Sequence, residues 1–118
     1  MGVNMQFSRR MNRLGNVDVL KCDDLSASHV VNLRNKVNRL MNRRHYRVIV
    51  DLWSAKRMDA AGIGILVEKL LRLREHKGDI RLCRLRPEVS RMMEKVGVGT
   101  LFETYQTKEE ALNSFREN

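Results

Sequence analysis

Val48-Ile49-Val50-Asp51-Leu52 runs through Trp53-Ser54-Ala55-Lys56-Arg57-Met58 into Asp59-Ala60-Ala61-Gly62-Ile63-Gly64, and on to Gly78. The first five residues are nearly all apolar, the pattern of a central parallel strand covered on both faces. Asp59 is a strong helix N-cap. Ile63, Leu66, Val67, Leu70 and Leu73 then recur at helical spacing and set a buried face. Gly78 suits the C-terminal cap of that helix. Ala60, Ala61, Gly62 and Gly64 leave its first turn nearly bare. Bare first-turn amides, with the helix dipole behind them, approach another surface or an anion closely. Close helix–sheet packing asks for the same small residues, so the feature reads both ways.

Working outward, the same alternation repeats. Upstream, Asn4–Phe7 reads as a short first strand and Val17–Cys22 as a second, with a turn at Gly15-Asn16. Asp23 through Ser28 reads as a polar linker. Val30, Leu33, Val37, Leu40 and Met41 place a helix from Ala27 to Asn42, with Arg34, Arg39 and Arg43 off the apolar stripe. Downstream, Ile80–Cys83 is a strand. Pro87 fits the first turn of a third helix carrying Val89, Met92, Met93 and Val96, ended by Gly97 and Gly99. Leu101–Tyr105 is a last strand, and Thr107-Lys108-Glu109-Glu110 is a capping box opening a helix with Ala111, Leu112 and Phe115 inward. The expected order is β-β-α-β-α-β-α-β-α: an α/β protein with a mostly parallel, mixed sheet of about five strands flanked by four helices.

A chain of 118 residues supplies one domain, 1–118, with a core that needs no metal or disulfide. Hydrophobic residues at 42% and charged ones at 31% exclude a disordered chain. No apolar run is long enough to span a bilayer, and the N-terminal residues lack the apolar stretch of a secretory signal, so a cytoplasmic location is expected. The net charge of +9 is uneven. Residues 1–58 carry a net +8 and residues 59–118 a net +1. This excess attracts acidic surfaces at long range without bearing on the fold.

Chemistry is scarce. Cys22 and Cys83 read as small buried hydrophobes, and His29, His45 and His76 sit in unlike contexts with no metal-ligand spacing. No acidic pair converges. Gly62-Ile63-Gly64 lacks the further Gly, or the Lys-Ser/Thr, of a phosphate loop. No catalytic residue, metal or cofactor is expected, and an enzyme is the least supported class.

The segment resembles the STAS family of anti-sigma-factor antagonists and their relatives. That pattern is a strand ending in Asp-Leu, a short loop, then D-S-S/T-G-L-G opening a helix. Here it stands as Asp51-Leu52, six residues, then Asp59-Ala60-Ala61-Gly62-Ile63-Gly64. Arg86-Pro87-Glu88-Val89, Val96-Gly97, Leu101-Phe102 and Glu109-Glu110-Ala111-Leu112 fit downstream, and Asp24-Leu25-Ser26 stands where the family usually has Glu-Leu-Asp. The resemblance covers residues 16–115. It implies the same fold, and a surface through which such proteins meet partners. Carried over by motif, that surface is Asp24, Ser26, Asp59, Ala61, Gly62 and Ile63. Ile65 and Glu68 extend it, being off the buried stripe, and Ile65 is expected to be an exposed apolar residue.

One departure is decisive for mechanism. In the antagonists the second Ser or Thr of the motif accepts phosphate from a partner kinase, and here that position is Ala61. No Ser, Thr or Tyr occurs from Asp59 to Gly78, and Ser54 in the preceding loop is the nearest hydroxyl along the chain. The resemblance therefore implies a regulatory binding module without the family's phospho-switch. Its expected partner is an anti-sigma factor or related kinase-like ATP-binding protein. The alternative is an accessory subunit on the ATPase of a lipid-transport ABC complex, or a scaffold component, and homodimerisation is compatible with either. Nucleic-acid binding, suggested by Arg34, Arg39, Arg43, Arg44 and Arg47, is disfavoured because no aromatic residues interleave with the basic ones to form a stacking platform.

Overall fold

A computed structural model describes residues 6–12 and 15–116. Among the described residues seven strands and four helices follow one another: β1 Gln6–Asn12, β2 Gly15–Lys21, β3 Asp24–Leu25, α1 Val30–Asn42, β4 Arg47–Asp51, β5 Arg57–Met58, α2 Ala60–Glu75, β6 Asp79–Cys83, α3 Pro87–Lys95, β7 Glu103–Tyr105 and α4 Lys108–Ser114. The main sheet has five strands in the order β1-β2-β4-β6-β7. β1 pairs antiparallel with β2, and every other neighbour is parallel. This is the expected α/β sheet with its four helices.

The central strand fulfils its apolar pattern. Val48, Ile49 and Val50 have no exposure. Val48 and Val50 face α1, α2 and α3, where they meet Leu33, Val37, Leu66, Leu70 and Met93. Ile49 faces the other way, with Val17, Val19 and Cys83, under Ala111 of α4 and Phe115 at its C-cap. Full burial of one such side chain contributes roughly 1.5–3 kcal/mol, so the three-helix side carries most of the stabilisation.

Beyond the strand ends the pairing continues as a staircase of backbone bonds. Cys22 N–H donates to the Asp51 carbonyl at 3.0 Å, Leu52 N–H to that of Cys83 at 3.0 Å, and Arg84 N–H to that of Tyr105 at 2.9 Å.

Several boundaries differ from the sequence reading. The first strand spans Gln6–Asn12, and Asn4 lies outside the described residues. The polar stretch after Cys22 is not all linker: Asp24-Leu25 pairs in parallel with Arg57-Met58 as a separate two-stranded sheet. Two-residue strands are too short to leave a periodic signal. Helix α1 begins at Val30, three residues later than read. The Ser26 carbonyl turns the chain by accepting from both His29 N–H (3.0 Å) and Val30 N–H (2.8 Å). β7 starts at Glu103, because Leu101 and Phe102 turn inward to the core. At the end of α2 the left-handed residue is Lys77, with φ 62°, and not Gly78. Gly78 is needed for another reason: a Cβ there would lie 1.9 Å from the Tyr46 carbonyl oxygen.

Candidate functional site

The two-stranded sheet builds the site. Pairing Asp24 with Arg57 and Leu25 with Met58 lays the approach to α1 beside the approach to α2. Asp59 follows in an extended conformation, and its side chain reaches both. Oδ1 accepts the Gly62 N–H at 2.8 Å, capping α2. The two carboxylate oxygens also accept the Ala27 N–H, at 3.1 and 3.0 Å. Asp59 is therefore an N-cap and a clamp on the neighbouring loop, which local sequence does not reveal because Ala27 lies thirty-two residues away. The Ala27 amide first, then those of Gly62 and Ala61, hold its carboxyl below the usual carboxylate range.

Asp24 organises the other side. It accepts from the Ser26 amide (2.8 Å) and hydroxyl (2.6 Å), and its second oxygen lies 3.1 Å from His29 Nδ1. Burial pushes its pKa up, but the two Ser26 bonds, with His29 and Arg57, outweigh that and leave it lowered. Ser28 is exposed, and its hydroxyl lies 3.1 Å from both the Ser26 hydroxyl and His29 Nδ1.

Gly62 sits where α2 crosses β3. A Cβ there would lie 1.5 Å from the Leu25 carbonyl oxygen, so only glycine lets the helix start rest on that backbone. Ala60, Ala61 and Gly64 are exposed, and a Cβ on Gly64 would meet nothing within 4 Å. The bare first turn is therefore explained by packing at Gly62 alone.

The structure brings Asp24, Ser26, Asp59, Ala61 and Gly62 together through these bonds and contacts, with Glu68 exposed two turns further along α2. It does not bring Ile63 to the surface. That side chain is 1% exposed and packs in the main core, as its place in the apolar stripe requires. Ile65 is also not the exposed apolar residue expected; it is half-buried against the same core, beside Ile63 and Leu66 on a widened stripe. The large apolar side chains left in solvent include Trp53, at 52%, and Leu71, at 48%. Leu71 was legible by elimination, since Leu70 and Leu73 take the buried positions. It continues the stripe Ala61, Gly64, Glu68 at three- and four-residue spacing along α2.

Asp51, buried at the end of β4, fixes the loop that precedes α2. It accepts from the Trp53 N–H at 3.1 Å and from Arg84 Nε and Nη2 at 3.1 and 2.7 Å. Ser54 is half-buried in the turn that follows.

Both cysteines are free and buried. Burial pushes the Cys22 thiol up to about 11 and that of Cys83 up to about 12, so neither is a nucleophile near neutrality. Among the described residues no three His, Cys, Asp or Glu side chains gather as metal ligands, and no helix is long and apolar enough to cross a membrane.

The STAS domain model matches residues 4–111, and the chain belongs to that family. It is similar to BtrV of Bordetella bronchiseptica, described as a candidate anti-sigma factor antagonist: 23% identical over 92 residues, covering 78% of this chain and 79% of that one. Among solved structures, a candidate anti-sigma factor antagonist from Thermotoga maritima superposes with a TM-score of 0.81 at 18% identity, covering 94% of this chain and 95% of the other. The unphosphorylated form of SpoIIAA, an anti-sigma factor antagonist of Bacillus, gives 0.76 at 21% identity, covering 94% and 96%. These likenesses establish the fold, that of a STAS domain.

Proposed function

We propose that the protein is a regulatory binding module that docks on an anti-sigma factor or a related kinase-like ATP-binding protein through the α2 entrance, and that it does so without a phospho-switch. The observation that carries the reading is the entrance itself: Ala60 and Ala61 exposed at the start of a helix whose shape is set by Asp59 and Gly62. Two relatives of this fold are an unphosphorylated and a phosphorylated form of one antagonist, SpoIIAA, so modification belongs to the fold's repertoire. Phosphorylation at the helix start would add about −1.5 to −2 charges there. Alanine has no oxygen to carry them. Binding would then be governed by abundance and competition, in the cytoplasm where such partners reside.

The docking surface is Asp24, Ser26, Asp59 and Ala61, continued by Glu68, with Ile63 and Gly62 supporting it from below. The test is a pull-down from the native cell with wild-type protein and with Ala61→Arg, whose added side chain points into open solvent. Wild type should retain a kinase-like ATP-binding protein and the variant should lose it while melting normally. Incubation of the recovered partner with ATP should leave wild type unmodified and phosphorylate Ala61→Ser. Phosphate on Ser54 of the wild type would restore a switch and overturn the constitutive reading. Recovery of an ABC-type ATPase would favour an accessory subunit instead.

A further inference from the structure

We propose that the groove between the β4–α2 loop and the first turns of α3 is a second docking site, and that its occupant is an acidic segment of a protein partner bearing apolar side chains. This goes beyond the α2 entrance and does not depend on it. The floor of the groove includes Met58, Val89 and Met92, and Lys56, Arg57 and Arg86 line it. Glu88 is the one carboxylate lining it against three cations, so the lining carries a net positive charge. Lys56 and Arg57 are exposed, and Arg57 faces Asp24 across the strand pair. Arg86 uses Nε on the Trp53 carbonyl and has no carboxylate partner among the described residues. A guanidinium on a neutral acceptor keeps its charge for an incoming carboxylate.

Arg86 also joins the groove to Trp53, the most exposed large apolar side chain among the described residues. Trp53 is pinned by its amide to Asp51, by its carbonyl to Arg86, and by the guanidinium groups of Arg84 and Arg86 at 5.5 and 5.0 Å from its ring centre. A pinned, exposed Trp loses little further freedom on binding, which is the property of an interface anchor. A nucleic acid is the competing polyanion. It fits less well: the floor is thioether and aliphatic, both guanidinium groups already lie over the one aromatic ring, and Glu88 would meet phosphate. Carboxylates that pair with the cations, with an apolar residue between them on Met58 and Met92, satisfy both halves of the groove. Methionine suits such a floor because its flexible side chain adapts to varied shapes.

The test titrates the full chain with a short synthetic peptide alternating Glu with Leu and Phe, read by the fluorescence of its single Trp. Two controls are the same peptide with Ser at the apolar positions and a single-stranded oligothymidine. The acidic–apolar peptide should bind, and the Ser peptide at least about tenfold more weakly, as the loss of one or two apolar anchors requires. Arg86→Glu with Lys56→Glu should abolish binding, Arg86→Gln should weaken it, and Ala61→Arg should leave it unchanged. Melting curves of the variants separate lost binding from lost fold. Equal affinity for the Ser peptide, tighter binding of the oligothymidine, or indifference to Arg86→Gln would each overturn the proposal. Loss of the pull-down partner in Ala61→Arg reports on the α2 entrance alone, so the two readings fail separately.

Discussion

The entrances of α1 and α2 lie side by side and are built oppositely. The approach to α1 is crowded with polar groups (Ser26, Ser28, His29, Asp24), yet its N-cap, His29, makes no side-chain cap. The approach to α2 carries no hydroxyl from Ala55 onward and is capped by the Asp59 side chain. One carboxylate serves both, since Asp59 also takes the Ala27 amide. The polar cluster thus shapes a turn, whereas the bare entrance is held by one charged side chain and one backbone contact. Ala60 and Ala61 are left exposed at that entrance, beside the carboxylate that holds it.

The contrast breaks hardest at Gly62. Gly62→Val drives a side chain into the Leu25 carbonyl and should cost about 3 kcal/mol or more by chemical denaturation. Gly64→Ala, two residues on and free of neighbours, should instead stabilise by roughly 0.5–1 kcal/mol. Equal effects at the two glycines would mean that α2 does not rest on β3. Next in size, Asp59→Ala should lower the melting temperature more than Ser28→Ala, and should speed hydrogen exchange at both Ala27 and Gly62. Exchange that rises at Gly62 alone would reduce Asp59 to an ordinary cap.

Acid sharpens the comparison further. Asp24 and Asp59 are both held below their ordinary values, so the folded state binds their protons less readily than the unfolded chain. Their stabilisation is complete above the usual carboxylate range and drains away as pH falls through their lowered folded values. Asp24→Asn and Asp59→Asn should each flatten that acid limb of a stability–pH curve and leave its neutral region sloping as before. The smallest effect belongs to Ala61→Ser, which adds a hydroxyl at an exposed position and should change stability by less than about 0.5 kcal/mol.

The legible part of the molecule is the part built on periodicity. The run Val48–Leu52 and the stripe Ile63, Leu66, Leu70, Leu73 gave sheet and helix because each repeats over several residues. The capping box at Thr107 is observed with both reciprocal bonds, because such a motif is closed within four residues. Distant backbone geometry was not legible. Pairing of Asp24-Leu25 with Arg57-Met58, the bond from Ala27 to Asp59, and the pressure of Tyr46 on Gly78 all join segments remote in sequence. Ile65 departs from its expected exposure for a related reason: the buried arc of α2 is wider than the apolar stripe read from the sequence and takes in Ile65 as a half-buried residue.

The bonds that link Cys22 to Asp51, Leu52 to Cys83 and Arg84 to Tyr105 have a mechanical consequence. The loop before α2 and the loop before α3 hang from adjacent treads, so neither can be pulled outward without unfastening a rung shared with its neighbour. A protein gripping one loop would therefore load backbone bonds that anchor the other as well.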